Sequence, residues 1–135
     1  MAALTADRNP PIRESKDFGH PVAASTKIFA GSMVCINSSG YATKGATSTT
    51  LKCVGVAQEQ ADNSAGSNGD IRVKTRRGCF KFGNSSSTDA ITLAEVNSDC
   101  YIVDDQTVAK TNGSSTRSVA GKVRDVESDG VWVEI

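Results

Sequence analysis

An all-β fold follows from three features of this sequence. Its apolar runs are short, several of them alternate apolar with polar residues, and the connections between them are crowded with Ser, Thr, Asn and Gly. "NSSG", "GATSTT", "GNSSST" and "TNGSST" are such connections. Alternation puts successive side chains on opposite faces of a strand, and Gly, Asn and Ser supply the turns. With 135 residues and 5% aromatics, the chain fits one small β-sandwich or barrel-like domain with one short helix and an extended N-terminal arm.

The arm is expected over residues 1–25 and the β-rich domain over 26–135. Pro10, Pro11 and Pro21 forbid a continuous helix and cannot donate to a ladder. Only Leu4, Ile12, Phe18 and Val22 are available to tie the segment down, so its order is expected to come from a neighbour. "KIFAGSMVCINSSGYATKG" reads as two strands around an "NSSG" turn. "LKCVGVAQEQ" is the next strand, and "ADNSAGSNGD" is a polar loop with the turn dipeptide Asn68-Gly69.

"IRVKTRRGCFKF" (71–82) carries the densest charge. Ile71, Val73 and Thr75 alternate with Arg72, Lys74 and Arg76, an apolar-in, basic-out pattern. Phe80 and Phe82 fall in the opposite frame, so one residue of register changes near Gly78. One long, bent strand with a bulge there accounts for both halves. The frame places Arg72, Lys74 and Arg76 on one exposed face, a candidate protein-contact surface, and turns the two phenylalanines toward a core or an interface.

"AITLAEVNSD" is the helical piece, because Thr92 and Glu95 have the spacing of a capping box. "CYIVDDQTVAKT" reads strand, tight turn at Asp104-Asp105, strand. In "GKVRDVESDGVWVEI", Asp129-Gly130 precedes the alternating Val131, Val133 and Ile135, a hairpin signature.

Composition narrows the functional class. Lys plus Arg is 15 and Asp plus Glu is 15, so no net field steers a polyanion and nucleic acid is an unlikely main partner. No stretch reaches the roughly 18 apolar residues of a membrane span. The first residues carry no apolar core with a cleavage site, so no export signal is expected. Cys35, Cys53, Cys79 and Cys100 include no close pair of the kind that binds zinc; their even number permits two disulfides in three connectivities, but without an export signal they are expected as free, buried thiols. His20 is the one histidine; a Cys–His dyad needs only a meeting in space, but packing within the arm is the simpler role. "DNSAGSNGD" lacks the spacing of a calcium loop, and no phosphate-binding loop is present. The sequons at Asn37, Asn84 and Asn112 read as turns. No catalytic residues, cofactor or metal ligands are expected, and the chain does not read as an enzyme.

The ordered series "PVAASTKIFAGSMVCINSSGYA", "CVGVAQEQADNSAGSNGDIRVKTRRGCFKF", "YIVDDQTVA" and "AGKVRDVESDGVWVEI" resembles the capsid decoration, or cement, proteins of Mu-like tailed bacteriophages and prophages. The resemblance runs from about Pro21 to Ile135 and weakly through the arm, and it lies in the order of the elements. It implies a β-rich domain bound to the major capsid protein on the outer capsid surface of the virion, typically as a homotrimer, after assembly in the host cytoplasm. It carries over no active-site residues. Arg72, Lys74 and Arg76, with Pro10, Pro11, Ile12 and Phe18 of the arm, are the residues expected to make protein contacts. A tail-tube or neck subunit and a nucleic-acid-binding β-barrel are the alternatives.

Overall fold

The computed structural model describes residues 2–135 and is all-β: a five-stranded sheet packed on a closed five-stranded barrel. The strands are β1 (Asp17–Pro21), β2 (Thr26–Ile28), β3 (Met33–Ile36), β4 (Ala42–Lys44), β5 (Lys52–Ala57), β6 (Ala61–Asn63), β7 (Arg72–Arg76), β8 (Cys79–Asn84), β9 (Asp99–Ile102), β10 (Thr107–Ala109), β11 (Val119–Glu127) and β12 (Gly130–Glu134). The sheet runs β1-β7-β5-β3-β4, the barrel runs β10-β8-β12-β11-β9, and β2 pairs with β6 as a separate ribbon. The barrel closes through a parallel pairing of β10 with β8; its other neighbours are antiparallel.

Two cores sandwich the sheet. Met33 and Cys35 of β3 point into the barrel-side core with Phe82, Ile102, Val123, Val131 and Val133. Val34, between them in sequence, joins Val22, Ile28, Ala42, Ala61 and Val73 on the opposite side. This explains why "MVCI" is apolar throughout rather than alternating: a strand covered on both faces needs two apolar faces.

β5 changes frame between those cores. Cys53 and Val56 both pack on the barrel side although three residues separate them, and the β3–β5 register shifts between Val34 and Cys35. Gly55 absorbs the extra residue, with φ of 143° and a position where a Cβ would lie 2.6 Å from the Arg76 carbonyl oxygen. A side chain there meets both backbone strain and a clash.

Several expectations are corrected. The domain begins at Asp17 rather than at residue 26: β1 pairs in full with β7, Asp17 opposite Arg76 through Pro21 opposite Arg72. Val22 is completely buried, so the sparse apolar residues at 18–22 are enough once a sheet edge is offered. The stretch 71–82 is two strands in two different layers, with β7 in the sheet and β8 in the barrel. The frame slip at Gly78 is therefore a layer crossing rather than a bulge. The polar loop 61–70 begins with a strand, β6. Among the described residues the helical content is two single 3-10 turns, Ser87–Asp89 and Leu93–Glu95. The second carries the expected box: Thr92 Oγ1 accepts from the Ala94 amide, and the Glu95 carboxylate accepts from the Thr92 amide at 2.6 Å.

The final hairpin forms, with its turn one residue earlier than the Asp129-Gly130 dipeptide suggests. Glu127 already faces Gly130, leaving Ser128 and Asp129 as the loop. Gly130 is required for another reason, because a Cβ there would lie 2.8 Å from the Phe82 carbonyl oxygen of β8.

Candidate interaction surface

Residues 2–16 have no regular structure and are exposed throughout. Pro10 and Pro11 favour an extended chain and remove two of the donors that a ladder through this stretch would need. Ile12 is 96% exposed and Leu4 70% exposed. The root of the segment is fastened. The Arg77 amide donates to the Lys16 carbonyl at 2.7 Å, and the Arg13 guanidinium stands 4.3 Å from the centroid of the Phe18 ring, a cation–π distance. Phe18 belongs to β1, where it is half-buried, so it anchors the segment rather than being carried by it.

Arg72, Lys74 and Arg76 share one exposed face of β7, while Val73 and Thr75 are buried beneath. Two of the three cations are engaged within the chain. Arg72 donates to the Gly19 carbonyl at 2.7 Å, and Arg76 donates to the Asp17 carboxylate at 2.9 Å. Among the described residues, the Lys74 ammonium has neither an ion-pair nor a hydrogen-bond partner. An open groove of about 340 Å³ at the root of the segment includes Arg13, Phe18, Gln58, Lys74 and Arg76. β1 is an edge of the sheet, and an edge strand is a geometry that accepts a further strand or an extended peptide, although the Arg72 side chain already occupies the Gly19 carbonyl.

Behind this surface, His20 and Cys53 line a second cavity of about 330 Å³ with Phe18, Val54 and Arg77. The structure thus brings the one histidine near a thiol that sequence alone left unplaced. The His20 Nε2 is buried without a hydrogen-bond partner. Burial, followed by the nearby Arg72 and Arg13 charges, holds its pKa below the usual histidine value, so the ring is neutral at pH 7.

The polar motifs are spent on structure. Asn63 is 3% exposed, and its side-chain amide donates to the carbonyls of Ala23 and Ser67 at 2.9 Å each, with a longer contact to Val22 at 3.4 Å. Asn68 accepts from the Ala24 amide at 2.7 Å. The loop "DNSAGSNGD" is therefore a clamp on the chain that follows β1. Sequence reading passed over Asn63; its one signal is its spacing two residues after Ala61, which puts it on the buried face of β6. Asn37 and Asn112 accept from backbone amides in their own turns, and Asn84 bonds the amide and carbonyl of Ile91. Asp104 accepts from the Gln106 amide, as a turn residue does. No cluster of three or more potential metal ligands occurs among the described residues. No helix among them is long and apolar enough to cross a membrane. No protein-family model matches the chain, and no curated protein or solved structure matches it either.

Proposed function

We propose that this chain is a virion structural protein that binds the outside of a tailed-phage head and stabilises the capsid lattice, with no enzymatic role. The observation that carries the reading is the segment 2–16. It holds its apolar side chains, Ile12 above all, in solvent, while its root is fixed to β1 and β7. Exposed apolar residues on a segment without regular structure favour burial against another surface. The phage assignment rests on the resemblance in the order of the sequence elements alone, and the major capsid protein is the proposed partner. A homotrimer suits the role, because the second and third contacts on a lattice are effectively intramolecular and weak single contacts then suffice. Lys74, rather than Arg72 or Arg76, is the cation free to meet a carboxylate on the partner.

Heads lacking the protein provide the test. Saturating them with the full chain should raise the temperature at which they disrupt, since a ligand of the assembled state favours that state. A variant without residues 1–16 should keep the thermal melt of the domain and occupy heads less, because β1 starts only at Asp17. Heads that disrupt at the same temperature with and without the protein would remove the stabilising role. Equal occupancy by the shortened variant would remove the arm from it.

A further inference from the structure

We propose that Cys35 and Cys53 form a peroxide-oxidisable dithiol, with Cys53 as the attacking sulfur and Cys35 as the resolving one, and that its oxidation clips the adjacent inner strands β3 and β5 of the sheet together. The two residues sit directly opposite each other on the antiparallel strands β3 and β5, and both are free thiols. Facing residues of an antiparallel pair project to the same side, with Cβ atoms about 4.5–5.5 Å apart. A disulfide takes Cβ atoms about 3.5–4.5 Å apart, so closure asks for a movement of about one ångström. The irregular step at Gly55, two residues from Cys53, is where β5 departs from ladder geometry.

Their environments divide the roles. Cys35 is wholly buried, whereas Cys53 is half-buried and lines the cavity beside Arg77 and His20. The Cys35 thiol faces the Cys53 sulfur and is removed from water, and that neighbour, followed by burial, holds it protonated. The Cys53 pKa is lowered by its facing Cys35, with further help from the Gly55 backbone and the Arg77 charge against the cost of its own burial. The remaining two thiols differ. Cys79, expected to be buried, is instead exposed on β8, with its pKa raised. Cys100 is buried, donates toward the Gly121 carbonyl at 3.6 Å, and is pushed up to about 12 chiefly by burial.

The chemistry balances with hydrogen peroxide as oxidant. The Cys53 thiolate attacks one peroxide oxygen, the O–O bond breaks, and Cys53 becomes a sulfenic acid while hydroxide leaves and is protonated to water. Cys35 then gives up its proton and its sulfur attacks the Cys53 sulfur. The S–S bond forms as the sulfenic S–O bond breaks, and the departing hydroxide takes up the proton as a second water. Two thiols lose two electrons, and one peroxide becomes two waters.

The native full-length protein is treated with hydrogen peroxide, quenched, unfolded in an alkylating agent and digested with trypsin without reduction. The expected product has lost two hydrogen atoms and links the peptides 28–44 and 53–72, which carry Cys35 and Cys53. In Cys35→Ala the same treatment should leave a sulfenic acid at Cys53 that dimedone traps. In Cys53→Ser, Cys35 should stay reduced. Oxidation confined to the exposed Cys79, or a bridge from Cys53 to Cys100, would overturn the proposal. So would equal oxidation of Cys35 in the Cys53→Ser protein. The wild-type peptide map decides between these outcomes even if a variant folds poorly.

Discussion

The barrel and the sheet solve the same problem in opposite ways. The barrel closes on itself, so every one of its five strands has two neighbours and no backbone edge remains. The sheet stays open and leaves β1 and β4 as edges. Side chains follow the same division. The barrel interior is Val, Ile, Phe, Ala and Cys, whereas the β1–β7 end of the sheet presents Asp17, Arg72, Lys74 and Arg76 to solvent and carries the exposed N-terminal segment. Closure removes the surface by which strands recruit other chains. The barrel is therefore built for stability, and the edge of the sheet is where a partner can be met.

This contrast predicts where substitutions will be felt. The largest effect belongs to the barrel. Phe82→Ala removes a ring that is 6% exposed in the core shared by the barrel and the inner face of the sheet. It should lower stability by ~3–5 kcal/mol in denaturant unfolding, and amide exchange should quicken in β3 and β5 as well as in β8 and β12. If exchange quickens in the barrel alone, the two layers are not one cooperative unit.

A smaller effect is expected on the outer layer. Asn63→Ala leaves the carbonyls of Ala23 and Ser67 without their side-chain donor. The loss should be about 1–3 kcal/mol. Exchange should rise first in β2, β6 and β1, with the barrel amides unchanged until global unfolding. An equal rise in the barrel would contradict the division between two cores.

The smallest effect is a pH dependence of the sheet edge. The His20 pKa is lowered in the folded chain by burial, Arg72 and Arg13, so between that lowered value and about 6.5 the unfolded chain binds more protons than the folded one. Stability should therefore be full above about pH 6.5 and decline as the pH falls through the window below it. The carboxylates whose pKa values are lowered, Asp62, Asp89, Glu95 and Asp129, lose their contribution only in more acidic solution. In His20→Gln the first decline should vanish and the second remain. A first decline that persists in the variant would assign it to another group.

Local chemistry made much of this molecule legible in advance. The all-β class, the "NSSG" and C-terminal hairpins, the capping box at Thr92 and Glu95, and the outward face of Arg72, Lys74 and Arg76 each depend on residues close together in the chain. Turn propensity, alternation and short-range hydrogen bonds act over that range. What tertiary structure alone decided depends on residues far apart. β1 is a strand because β7 offers it an edge more than 50 positions later. Arg72 and Arg76 are engaged because β1 brings Gly19 and Asp17 beside them, and Lys74 is left free by the same pairing. Cys35 faces Cys53 because a bulge at Gly55 sets the register of two strands joined through a third. Strand alternation says which way a side chain points relative to its own backbone; only the order and register of the strands says what it meets there.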